Sequence, residues 1–79
     1  MTKILLIEDN SDDIYLLKIA LSEAFSDFDL KTINNGKAAI DYLFSLENKN
    51  EPLPDLIILD INLPILNGLE VWPVISNFA

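Results

Sequence analysis

Three carboxylates stand where two apolar runs stop. Lys3-Ile4-Leu5-Leu6-Ile7 ends in Glu8-Asp9, and Leu56-Ile57-Ile58-Leu59 ends in Asp60. The second run has four apolar residues and no polar alternation, which predicts a strand buried on both faces, the habit of a parallel sheet. Ligands of open α/β sheets bind outside the carboxyl ends of the strands. If the two strands are parallel neighbours, Glu8, Asp9 and Asp60 meet at one sheet edge. Carboxylates so crowded repel each other unless a cation joins them, so the acids themselves predict a metal site.

Composition narrows the chemistry. The 79-residue chain has no cysteine and no histidine, which removes disulfides, thiolates, His-based catalysis, His metal ligands and a phosphohistidine. Its length suits one small domain or part of one. A net charge of −8, from 5 basic and 13 acidic residues, disfavours nucleic acid, which needs a basic footprint. It suits a cation site or a basic partner, though a soluble acidic surface accounts for most of it. Met1-Thr2-Lys3 leads straight into a short strand, with neither a signal-peptide core nor a membrane span, so a cytoplasmic protein is expected.

The elements that position the acids follow from periodicity. A strand is predicted over 3–7, then a polar turn in which Asn10 or Ser11 caps a helix reaching about residue 25. Asp12 and Asp13 fall in its first turn, where carboxylates suit the helix dipole. Ile14, Leu17, Leu21, Ala24 and Phe25 share one face, while Tyr15, Leu16 and Ile19 form a second apolar face that wants a partner. A second strand is predicted over 28–33, an Asn34-Asn35-Gly36 turn tolerating positive φ, and a helix over 37–47 presenting Ala39, Ile40, Leu43, Phe44 and Leu46. After a long polar loop come strand three over 55–60 and a loop over 62–67. Asn67-Gly68-Leu69-Glu70 resembles a capping box opening helix three, which Pro73 should kink or end.

The order β-α-β-α-β-α with right-handed crossovers predicts a parallel sheet with helices on both faces, an α/β fold. With three strands the third becomes an apolar edge of the kind that proteins cover or pair. Residues 1–79 are therefore expected to be the N-terminal part of a single domain.

The pairing of Ile4-Leu5-Leu6-Ile7-Glu8-Asp9-Asn10 with Leu56-Ile57-Ile58-Leu59-Asp60-Ile61-Asn62-Leu63-Pro64, followed by Asn67-Gly68-Leu69-Glu70, resembles a response-regulator receiver domain. The resemblance covers residues 3–71. The acidic start Asn10-Ser11-Asp12-Asp13 and the long loop before strand three look most like single-domain regulators of the phytochrome-associated kind. The resemblance implies a flavodoxin-like three-layer α/β/α fold with strand order 2-1-3 over these three βα units. It implies two-component signalling, with Asp60 accepting a phosphoryl group from the phosphohistidine of a sensor histidine kinase or phosphotransfer protein. Glu8, Asp9, the Asp60 carboxylate and the Asn62 backbone carbonyl would hold Mg²⁺, and Pro64 and Gly68 would shape the adjoining loop. Such a domain is a phosphoacceptor rather than an enzyme.

Members of the family continue through two more strands carrying a Ser or Thr, a lysine and a switch aromatic. Those positions do not occur in this sequence, and Trp72-Pro73 stands where the helix should continue. Metal binding is expected to survive this difference, efficient phosphorylation and switching are not. One alternative is an aspartate-nucleophile phosphatase of the haloacid dehalogenase type. It is disfavoured because a second acid is normal two residues after the nucleophile, and Asn62 stands there. Another is an interaction module that forms a homodimer or strand-exchanged dimer through strand three or helix one.

Overall fold

A computed structural model describes residues 1–60 and 68–76 of the chain. The elements run β1 (Thr2–Ile7), α1 (Ser11–Ala24), β2 (Phe28–Ile33), α2 (Gly36–Asn48), β3 (Leu56–Leu59) and α3 (Gly68–Ile75). The strands form one parallel sheet in the order β2-β1-β3, as expected. The β1-α1-β2 connection moves one way along the sheet, and β2-α2-β3 returns past β1. Right-handed crossovers therefore put α1 and α2 on opposite faces.

β1 is the buried centre. Leu5 and Ile7 point to one face and pack with Ala39, Leu43 and Ile75, while Ile4 and Leu6, alternating to the other face, are as deeply buried. β3 departs from the expectation of burial on both faces. It pairs only with β1 among the described strands, and Leu56 is exposed while Ile57, Ile58 and Leu59 are half-buried. A strand paired on one side keeps water on the other, whatever its hydrophobicity.

The helices follow their capping chemistry. Asn10, not Ser11, caps α1, its Oδ1 accepting from the backbone N–H groups of Asp12 at 2.9 Å and Asp13 at 3.2 Å. Asn34-Asn35-Gly36 is not a positive-φ turn; Asn35, at φ −154°, is the N-cap of α2, and its Oδ1 accepts from the Ala38 N–H at 2.8 Å. α2 ends with Asn50 at φ 54°, in the left-handed region. The N–H of Glu51 donates to Leu46 O and that of Asn50 to Glu47 O, the Schellman pattern. Ala39, Leu43 and Leu46 are buried as expected, but Phe44 and Ala24 are exposed. Both sit at the margin of an apolar stripe that only partly faces the sheet.

Pro73 does not end α3, which runs on to Ile75. An interior proline costs about 3 kcal/mol. Ile75 is 2% exposed against Ala39 and Leu43, and burying such a side chain contributes about 1.5–3 kcal/mol. The two are of one size, and the last turn is retained. No helix among the described residues is long and apolar enough to cross a membrane.

Candidate phosphoacceptor and metal site

The site begins with strand register. Ile7 pairs with Ile33 of β2 and with Leu59 of β3, so the three strands end level. Glu8 and Asp60 are each the next residue after a paired position. Registered residues of parallel strands project to the same face, which brings these two acids to one side. The backbone secures both: the Glu8 N–H donates to Ile33 O at 3.0 Å, and the Asp60 N–H donates to Ile7 O at 3.1 Å. The ladder thus continues one residue beyond each strand.

Glu8 is the buried member, 6% exposed. Its Oε1 accepts from the backbone N–H groups of Asp9 and Asn10, each at 3.1 Å, so its carboxyl folds the β1-α1 loop about itself. Burial pushes its pKa above the ordinary 4.5, since desolvation penalises the charged form. The Asn10 N–H works the other way, favouring the carboxylate. The negative charge of Asp60, a hydrogen bond between the two carboxyls and, more weakly, the charge of Asp13 push the pKa further up. Asp60 is half-buried and Asp9 exposed, so the cluster opens from a buried floor to solvent.

One carboxylate oxygen from each of Glu8, Asp9 and Asp60 lies within 4.8 Å of the others. Two ligands on opposite sides of one ion stand about 4–5 Å apart for metal–oxygen distances of about 2.0–2.6 Å. Three hard oxygen donors, one of them resisting ionisation because it is buried, fit Mg²⁺, Mn²⁺ or Ca²⁺ rather than a softer metal. The residues present therefore fit a divalent cation.

Of the residues singled out in the sequence, the structure brings Glu8, Asp9 and Asp60 together. Asn62, expected to offer its carbonyl, and Pro64 lie outside the described residues. Gly68 opens α3, and Asp12 and Asp13 occupy the first turn of α1. Sequence reasoning missed the second task of Glu8, which serves as the acceptor that closes its own loop as well as a candidate ligand. The polar run Glu8-Asp9-Asn10-Ser11 was the only signal of it.

Comparison with known proteins gives the family and the fold. The family model described as "Response regulator receiver domain" matches residues 4–79. The response regulator Rcp1 of Synechocystis sp. is 41% identical over 75 residues, covering 94% of this chain and 51% of Rcp1. The crystal structure of the phosphorylated cyanobacterial phytochrome response regulator RcpA superposes with a TM-score of 0.82 at 40% identity, over 96% of this chain and 55% of RcpA. The Mn(2+)-bound form of Rcp1 superposes with a TM-score of 0.79 at 35% identity, over 98% of this chain and 56% of that one. The chain thus spans about half the length of these relatives.

Proposed function

Because the chain belongs to the response regulator receiver family, we propose that Asp60 is its phosphoacceptor, taking a phosphoryl group from the phosphohistidine of a histidine kinase or phosphotransfer protein. The observation that carries this reading is the meeting of the Glu8, Asp9 and Asp60 carboxylates at the carboxyl edge of the sheet. The phosphorylated state of RcpA and the Mn(2+)-bound form of Rcp1 support it. Residues 1–79 are read as the first three βα units of one receiver domain, acting in the cytoplasm as a signalling domain rather than a turnover enzyme.

Mg²⁺, when bound by Glu8, Asp9 and Asp60, with the Asn62 carbonyl as a further ligand, supplies positive charge against the phosphoryl oxygens. The chain does the rest. An Asp60 carboxylate oxygen attacks phosphorus in line; the new O–P bond forms as the P–N bond breaks, and the imidazole nitrogen keeps the electron pair. A carboxylate nucleophile needs no general base, and the loose transition state of phosphoryl transfer asks mainly for positioning. Positioning comes from the Asp60 N–H on Ile7 O, and from Glu8, whose buried carboxyl holds the facing loop. Asp9, exposed, completes the site from the solvent side. Attack of water on phosphorus breaks its bond to the Asp60 oxygen, releasing inorganic phosphate and returning the aspartate.

The test is to incubate the chain with acetyl phosphate and Mg²⁺ and weigh the intact protein. The reading expects a single phosphoryl adduct, formed slowly without the Ser or Thr and the lysine that the family supplies, and lost with a chelator and in Asp60→Asn; an adduct that survives both overturns it. A second reading, an assembling module, draws on the exposure of Leu56 on β3 and of Tyr15, Leu16 and Ile19 on α1. It expects a concentration-dependent dimer in sedimentation, reduced by Leu16→Glu, and a monomer throughout would remove it.

A further inference from the structure

Asn35-Gly36 is the joint between β2 and α2, and its chemistry is unused by the phosphoacceptor site. An asparagine followed by glycine is prone to a reaction of its own, because glycine has no Cβ to shield its backbone nitrogen. We propose that Asn35 is a latent deamidation site, held closed by the N-cap of α2 and opened when that helix's first turn frays. In the step itself the Gly36 backbone nitrogen, having lost its proton to solvent base, bonds to Asn35 Cγ. The Cγ–Nδ2 bond breaks and ammonia leaves with the electron pair and a proton from water. The resulting succinimide is opened by water to aspartate or isoaspartate, so the balance is asparagine plus water to acid plus ammonia.

The folded geometry opposes this. Asn35 Oδ1 is engaged by the Ala38 N–H at 2.8 Å, and Nδ2 donates to Asn34 Oδ1 at 3.2 Å. Gly36 is buried as the first residue of α2, away from the solvent base that the attack requires. The backbone of Asn35 is extended, at ψ 159°, and attack requires it to rotate and the cap to break. First turns fray at low cost compared with global unfolding, so the site is slowed rather than sealed. The two products differ in consequence. Aspartate is as good an N-cap as asparagine and favours the helix dipole. Isoaspartate inserts an extra backbone carbon and removes the cap, next to Asn34 and Ala38, which line a cavity of about 450 Å³ beside Glu8.

The test is peptide mapping by mass spectrometry of the full chain held at mildly alkaline pH in heavy-oxygen water, with and without urea. Position 35 should convert at least about tenfold more slowly without urea, about 1.4 kcal/mol of opening. In urea, Gly36→Ala should slow it, since the added Cβ obstructs the attack. Equal rates with and without urea overturn the gating. No conversion at position 35 in urea overturns the site itself.

Discussion

Glu8 and Asp60 are neighbours across the β1-β3 ladder, each one residue beyond the paired Ile7 and Leu59, so the negative charge of Asp60 faces the buried Glu8 carboxyl and adds to the rise in its pKa. Glu8, the more buried, is the one whose pKa is raised.

This arrangement has a pH signature. Glu8 releases its proton near 4.5 in the unfolded chain and at a higher pH in the folded one. Between those values the native state binds more protons, so stability falls as pH rises through the folded pKa and then levels. Without divalent cations, urea midpoints should show this decline, and Glu8→Gln should flatten that part of the profile.

Replacing Asp60 by asparagine removes one of three mutually repelling acids. Two full charges 4 Å apart interact by about 4 kcal/mol at an effective dielectric of 20, and the open side of the cluster screens this. Asp60→Asn should raise the metal-free stability by about 1 kcal/mol in urea denaturation, while weakening cation binding.

Asp9 is exposed and makes its side-chain case only as a ligand. Asp9→Asn should weaken Mn²⁺ binding, followed by electron paramagnetic resonance, by at least about tenfold, the low end for loss of even an outer partner of a metal site. Asp12→Asn, on the first turn of α1, should leave the affinity within about threefold, as a surface charge screened by salt.

The fold itself rests on the face of β1 that meets α2. Leu43 is fully buried against Leu5, Ile7 and Ile75, and Leu43→Ala should cost about 2–5 kcal/mol in urea denaturation. Asn10→Ala, which removes a cap with two acceptor bonds, should cost about 0.5–2 kcal/mol.

Much of this is legible in the sequence. Apolar runs stopped by acids marked β1 and β3 as strands of one parallel sheet, although only β1 is buried throughout its apolar run. Acids at the ends of adjacent strands then had to converge. What was not legible depended on context that no local pattern carries. Leu56 reads the same whether it is covered or at an edge, and Pro73 reads as a stop until Ile75 is seen buried beyond it. Asn35-Gly36 serves a turn or a cap equally well, and the choice lies in the φ of Asn35. The folding of the loop about Glu8 Oε1 depends on two backbone N–H directions, which residue types do not disclose.

The central claim is that Asp60 is where the phosphoryl group goes, and the most direct measurement locates it. After treatment with acetyl phosphate and Mg²⁺, borohydride reduction converts a phosphorylated aspartate to homoserine, which peptide mapping then places on the chain. The account predicts homoserine at position 60 alone, absent when Mg²⁺ is chelated. Homoserine at another acid, such as Asp9 or Asp12, with position 60 unchanged, would contradict it.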